Sequence, residues 1–451
     1  MGRRHSDARS LPALGMSTEE LGRILKSPES CMRALALALL VLPRLVSAQQ
    51  GSAFTAVARP EDAGFSSPRL ARIDSLMSGL VRDGKIPGGV VFISRNGKAV
   101  MYKAWGYRNV DTKDALQRTD IFRIASQSKA ITSTAVMMLW EEGKLGLDDP
   151  IAKYIPEFKD AKILKTFNAA DSSYTTEPAK SQPTIRHMLT HTSGVDYAVI
   201  GSPNARAIYA KAGIPSGIGG PGTKICDKMR VLGTLPLKHE PGAEFTYALG
   251  LDVLGCVVEL TSGMSYDQFL RNLIFDPLGM KDTWFYLPKD RQARLVTLHA
   301  GVNGKSVVRT APVFDNIDPD YPKSAGTYFS GGGGMSSTAE DYARFLQMYL
   351  NKGELNGVRL LSPKTVEMIL TEQWPKEGFG VGLAFGLETP GNDWQSPRSL
   401  GSFSWGGAFN TIYWADPKEG LIAQIYTNLY DNPVPELGGK FGNLVYSAIV
   451  K

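Results

Sequence analysis

The chain has 451 residues, of which 43% are apolar and 21% charged, the balance of an ordinary globular protein with one large domain or two smaller ones. Net charge is +6, but beyond residue 48 the count is 43 Lys/Arg against 40 Asp/Glu, and those cations are scattered. Nucleic-acid binding therefore has no basic run to rest on, and no apolar stretch reaches the 18 residues of a membrane span.

The N-terminal 48 residues read as a leader. Arg33 precedes an apolar run from Ala34 to Pro43, and Val46-Ser47-Ala48 offers the small residues of a signal-peptidase site. Met32 would serve as the start of a compact signal peptide, although Arg44 departs from the pattern; the plain alternative is a tail with an apolar patch. The expected location is periplasmic or secreted. Of three cysteines, Cys31 falls in this leader. An oxidising compartment would permit a bond between Cys226 and Cys256, and two free buried thiols fit equally well. Their spacing does not suit zinc.

After the leader, Leu70, Ile73, Leu76, Met77 and Leu80 recur at helical spacing, which predicts a helix over 69–82. Residues 88–94 read as a strand, Asn96-Gly97 as a hairpin turn and 99–106 as the return strand. An apolar helix follows through Trp140. From about 150 to 330 the pattern changes to helices at 185–190, 251–260 and 266–274 among long loops. The segment 195–243 is too long for a mere connection. A glycine run, Gly331 to Gly334, lacks the Gly-Lys-Ser/Thr of a phosphate loop and reads as close backbone packing. Ser337 and Glu340 fit a capping box for a helix to about 351. Strands are predicted at 379–385, 402–405, 410–414 and 421–427, and a last helix at 435–449. These elements predict an α/β fold of the α+β kind, an antiparallel sheet flanked by helices with a mostly helical insertion. Residues 55–150 and 331–451 would form the sheet domain, and 151–330 the helical one.

Ser126-Gln127-Ser128-Lys129 is the one Ser-x-x-Lys in the sequence. Residues three apart on a helix share a face, so Ser126 and Lys129 would lie side by side. A serine hydroxyl needs a base to become a nucleophile, and a desolvated lysine can serve. His187 and His191 are four apart, but no His-Glu-x-x-His pattern supports a metal site. No Gly-x-Ser-x-Gly occurs, which argues against an α/β-hydrolase elbow. No metal or cofactor is expected.

Ser126-Gln127-Ser128-Lys129 resembles the first motif of serine β-lactamases and penicillin-binding proteins. Phe245-Thr246-Tyr247-Ala248-Leu249-Gly250 is similar to the second motif of the subset with class C-type organisation, and Ser404-Trp405-Gly406-Gly407-Ala408 to the third. His191-Thr192-Ser193-Gly194, Phe275-Asp276-Pro277-Leu278-Gly279-Met280 and Gly334-Met335-Ser336-Ser337 extend the likeness over roughly residues 60–450. Leu249 stands where many β-lactamases have Asn, and Trp405 where they have Lys. Trp405-Gly406-Gly407 is similar to the third motif of family VIII carboxylesterases.

The resemblance implies a β-lactamase-like fold and a carboxylesterase working through an acyl-enzyme on Ser126. Lys129 would be the base, Tyr247 would share that role, and the N–H groups of Ser126 and Ala408 would form the oxyanion hole. Gly406 and Gly407 would let the strand approach a small-molecule ester closely, with Trp405 and Leu249 in the pocket. Loss of a cation and an amide favours neutral esters over anionic β-lactams. A β-lactamase or D-amino-acid peptidase is the alternative within the fold. A penicillin-binding-like sensor that is acylated without turnover, and an acyltransferase, are further alternatives.

Overall fold

Residues 88–93 read Gly-Gly-Val-Val-Phe-Ile, and every one of them is buried, so this strand is covered on both faces. The computed structural model describes residues 53–451 except Gly220, Pro221, Asp315, Lys376, Glu377 and Phe379. The leader lies outside the described residues. Residues 51–451 form one unit.

The elements that position the site are β1 (Thr55–Ala56), α1 (Ser67–Arg82), β2 (Gly88–Arg95), β3 (Lys98–Asn109), α2 (Ser128–Glu141), α3 (Ile225–Gly233), α4 (Gly250–Ser262), α5 (Ala339–Leu350), β4 (Gly380–Val381), β5 (Gly386–Leu387), β6 (Phe403–Gly407), β7 (Thr411–Asp416), β8 (Leu421–Tyr426) and α6 (Leu437–Ala448). The main sheet runs β1-β3-β2-β8-β7-β6-β5-β4. Its pairs are antiparallel except β1 beside β3. Strands from both ends of the sequence therefore meet at the β2–β8 ladder, where Val91 faces Ile425.

Alternation along the strands sorts the side chains into two layers. Val91, Ile93, Trp414, Ala423 and Ile425 pack under α1 and α6, with Ile73, Met77, Phe441 and Val445. Val90, Phe92, Tyr413, Ile422 and Tyr426 face the larger core, which contains α2, α4 and α5. Helix α2 is buried all round from Ser128 to Met137, as expected of a central helix, its polar Thr132 and Thr134 bonding back to the carbonyls of Ser128 and Ala130. Each fully buried Ile, Val or Leu on it contributes about 1.5–3 kcal/mol. At the hairpin between β2 and β3, Asn96 (φ 51°) and Gly97 (φ 73°) adopt the paired left-handed conformation that favours Asn-Gly.

The antiparallel sheet between helical layers agrees with the fold class read from the sequence, while several boundaries differ. The cap of α5 is Thr338, whose hydroxyl accepts from Asp341 N at 3.1 Å, and not Ser337. Ser337 instead pairs with Phe122 in a short ladder, so the helix starts one residue later. Of the predicted strand at 379–385 only Gly380–Val381, β4, is a strand among the described residues, and it pairs with β5 just beyond that range. Between 195 and 243 the chain forms two helices, Pro203–Lys211 and α3. A two-stranded hairpin, Lys162–Asn168 with Ser173–Pro178, lies in the stretch read as helical. Helix Tyr266–Leu270 continues as a π-turn over Arg271–Phe275. Cys226 and Cys256 are bonded and tie α3 to α4, with Cα atoms 4.9 Å apart. No helix among the described residues is long and apolar enough to cross a membrane.

Candidate active site

Ser126 lies on a tight 3₁₀ turn, Ala125–Gln127, immediately before α2 rather than within it. The turn is entered through Ala125 at φ 43°, a conformation that costs energy for a residue with a Cβ and persists where the surroundings impose it. Those surroundings are specific. Gln127 is fully buried; its Oε1 accepts from Tyr426 Oη at 2.7 Å and its carbonyl from Tyr342 Oη at 2.9 Å. Ser128 Oγ accepts from Met335 N at 3.1 Å. Thus β8, α5 and the glycine run hold the turn from beneath.

Lys129 is 4% exposed. Its Nζ donates to Gly332 O at 2.6 Å and to Ser126 Oγ at 3.3 Å, lies 3.4 Å from Tyr197 Oη, and sits 4.6 Å above the Tyr247 ring. Tyr247 Oη donates to Ser126 Oγ at 2.7 Å. The serine oxygen therefore faces one amine and one phenol, the groups that nucleophilic acyl transfer needs around its nucleophile. The glycine run supplies the lysine's cradle. A side chain at Gly331 would overlap Leu251 O, and one at Gly333 would overlap Gly217 O, so the backbone can approach Lys129 only as glycine.

Two further groups belong to this cluster and were missed from sequence. Tyr197 stacks on Tyr247 with centroids 5.6 Å apart. Asp252, five residues after Tyr247, is fully buried; its Oδ1 accepts from Gly332 N at 3.4 Å. Burial pushes the Asp252 carboxyl up to about 6, against the opposing pull of Ser330 and Lys129. Burial, with Tyr247 and Asp252 nearby, raises the Tyr197 phenol well above its usual value. Tyr197 ends the stretch His191 to Tyr197, whose first four residues carry a family likeness; that stretch was the available signal for it. Asp252 had none beyond a carboxylate in an apolar helix.

The late strand closes the other side. A side chain at Gly407 would overlap both Ile124 O and Thr411 Oγ1, so β6 ends packed on the backbone two residues before Ser126. Ala408, next along, is exposed, and Phe409 packs with Ala125. Gly406 is less confined, since a methyl there would meet Thr411 O at 3.5 Å. Trp405 is half-buried and stacks near Tyr247 at 6.0 Å and His191 at 6.4 Å. Leu249 is wholly buried against Gly217, which also meets Tyr197. The two histidines do not share a face. His187 Nδ1 accepts from Thr184 N in a capping box, whereas His191 lies beyond the helix at φ 58°.

Comparison with known proteins places this geometry in a family. Residues 73–441 match the Beta-lactamase family model, and the chain belongs to that family. It is a serine β-lactamase-like hydrolase. An uncharacterised protein of Mycobacterium tuberculosis is 34% identical over 356 residues, covering 75% of this chain and 85% of its own. Esterase EstB of Burkholderia gladioli is 30% identical over 377 residues, 79% of this chain and 90% of its own. The solved structure of EstCE1, described as a hydrolase with promiscuous acyltransferase activity, superposes with a TM-score of 0.72 at 26% identity, covering 84% of this chain and 99% of its own.

Proposed function

We propose that the protein is an exported serine carboxylesterase acting through an acyl-enzyme on Ser126. The observation that carries this reading is the convergence of Lys129 Nζ and Tyr247 Oη on one serine oxygen, with an uncharged Trp405 across the cleft. Lys129 Nζ takes the hydroxyl proton as Ser126 Oγ attacks the ester carbonyl. The N–H groups of Ser126 and Ala408 receive the developing oxyanion. Tyr247 passes a proton to the departing alcohol. Water then attacks the acyl-enzyme by the reverse route, giving the acid and free Ser126. No cofactor enters this scheme. Trp405 in place of a cation favours neutral esters, and the relationship to Esterase EstB supports ester cleavage. The bonded Cys226–Cys256 pair supports export, because such bonds persist in oxidising compartments.

One preparation assayed with p-nitrophenyl butyrate and with nitrocefin tests the reading. Ester cleavage should dominate; fast nitrocefin turnover with negligible ester cleavage would make the protein a β-lactamase. A second reading, acyl transfer to an alcohol, is favoured by the 26% identity to monacolin J acid methylbutanoyltransferase of Aspergillus terreus over 86% of this chain and 98% of its own. Product analysis with added alcohol separates the two, since a transferase yields the new ester faster than the free acid. A mass-spectrometric adduct that persists on Ser126 would instead indicate a sensor.

A further inference from the structure

His191 touches the segment around Tyr247 in three ways. Its carbonyl accepts from Thr246 N at 2.7 Å. Its ring Nδ1 accepts from Ala248 N at 3.3 Å. These two bonds grip the backbone on either side of Tyr247. The imidazole itself lies 4.7 Å from the Tyr247 ring, 5.7 Å from Phe245 and 6.4 Å from Trp405, nearly parallel to the last. It is 4% exposed. The residue pays for this placement with a left-handed backbone at φ 58°, which His adopts infrequently.

We propose that His191 is a positioning residue for Tyr247, fixing by its carbonyl, its Nδ1 and its ring where the tyrosine hydroxyl meets Ser126 Oγ. The inference rests on the reading that Tyr247 acts on Ser126. With Nδ1 accepting, the ring proton must sit on Nε2, so His191 works as the neutral tautomer. A protonated ring would lose the acceptor that holds Ala248 N. Burial, and then the charge of Lys129, push its pKa down to about 3, so the neutral form holds throughout the range in which an esterase is assayed. A base for the serine is thereby excluded as His191's own role. Its Nδ1 is occupied, and the groups around Ser126 Oγ are Lys129 and Tyr247.

The test is a double-mutant cycle. His191→Asn tolerates the left-handed backbone and keeps an acceptor oxygen, but removes the ring. In the wild-type background it should lower kcat about tenfold with KM within about twofold, and in the Tyr247→Phe background it should cost less than about twofold. An equal loss in both backgrounds, or no loss in the wild type, overturns the proposal while leaving the role of Tyr247 standing. Full activity of Tyr247→Phe overturns both. If His191→Asn does not fold, ¹⁵N NMR of the wild-type imidazole decides. A ring protonated on Nε2 alone and not titrating between pH 5 and 9 is expected; an Nδ1–H tautomer or a midpoint near 6.5 overturns the proposal.

Discussion

The floor and the wall of the cleft are built by different means. On the floor, Ser126 and Lys129 are three residues apart, and their meeting follows from the start of one helix. The two residues between them, Gln127 and Ser128, are pinned by Tyr342, Tyr426 and Met335 N. On the wall, His191, Tyr197, Tyr247 and Asp252 come from loops and a helix end, and meet through ring contacts and a few backbone bonds. The floor is a local geometry that the rest of the molecule stiffens. The wall exists only once the whole fold has formed, and its Asp252 is fully buried.

The largest effects should come from the floor. Ser126→Ala should reduce ester hydrolysis at least ~1,000-fold, with a melting temperature within ~2 °C of wild type, since one cleft-lining hydroxyl contributes little to stability. Retention of more than a few per cent of activity would mean that another group is the nucleophile. Gly407→Ala comes next, because its methyl would overlap Ile124 O and Thr411 Oγ1 and push β6 off the nucleophile's turn. A kcat loss of ~100-fold is expected, the scale of a missing oxyanion donor. Gly406→Ala, with only an ordinary contact at 3.5 Å, should lose far less. Equal losses at the two glycines would separate the strand's close approach from catalysis.

On the wall, Tyr197→Phe removes a hydroxyl 3.4 Å from Lys129 but leaves the stack on Tyr247. It should lower kcat by roughly threefold to tenfold, well short of Tyr247→Phe. Steady-state kinetics on the two variants side by side checks the ranking. If Tyr197→Phe proves the costlier, the two tyrosines must exchange roles.

The same contrast explains what the sequence revealed. Ser126 and Lys129 were legible because a helical turn, here the 3₁₀ turn that runs into α2, converts a spacing of three into proximity. Strands β2, β3, β7 and β8 were legible because both flanking turns and apolar runs are local signals. Tyr247 and Gly407 became visible only through likeness to a family, since nothing local ties residue 247 to residue 126. Tyr197 and Asp252 were not seen at all. Their role depends on the closeness of Gly332 to both side chains, a tertiary fact. The cap of α5 was misplaced by one residue because Ser337 is the better cap in isolation; the ladder to Phe122 claims it and leaves Thr338.

Two buried carboxyls carry the comparison into stability. Asp341, at the start of α5 under the floor, accepts from Asp282 N at 2.7 Å and Thr283 Oγ1 at 3.0 Å. Burial nonetheless pushes it up to about 7, with the charge of Asp282 adding to the rise. Asp252 in the wall is raised to about 6, chiefly by burial. A carboxyl whose folded pKa lies above its unfolded value binds its proton more tightly in the native state. Its contribution is therefore fully present below the ordinary value near 3.8 and is lost as pH rises through about 7 for Asp341. Asp341→Asn stays neutral throughout, so wild type should gain on it in melting temperature as pH falls from 8 to 5. Asp252→Asn should show the same trend, setting in about one unit lower as pH falls. His191 and His299, held down to about 3 and about 4 by burial, act with the opposite sign below pH 6.5 but are common to each pair and cancel in the difference. Melting curves that stay parallel from pH 5 to 8 would mean that both carboxyls remain ionised in the folded protein, and that burial does not govern the electrostatics of either floor or wall.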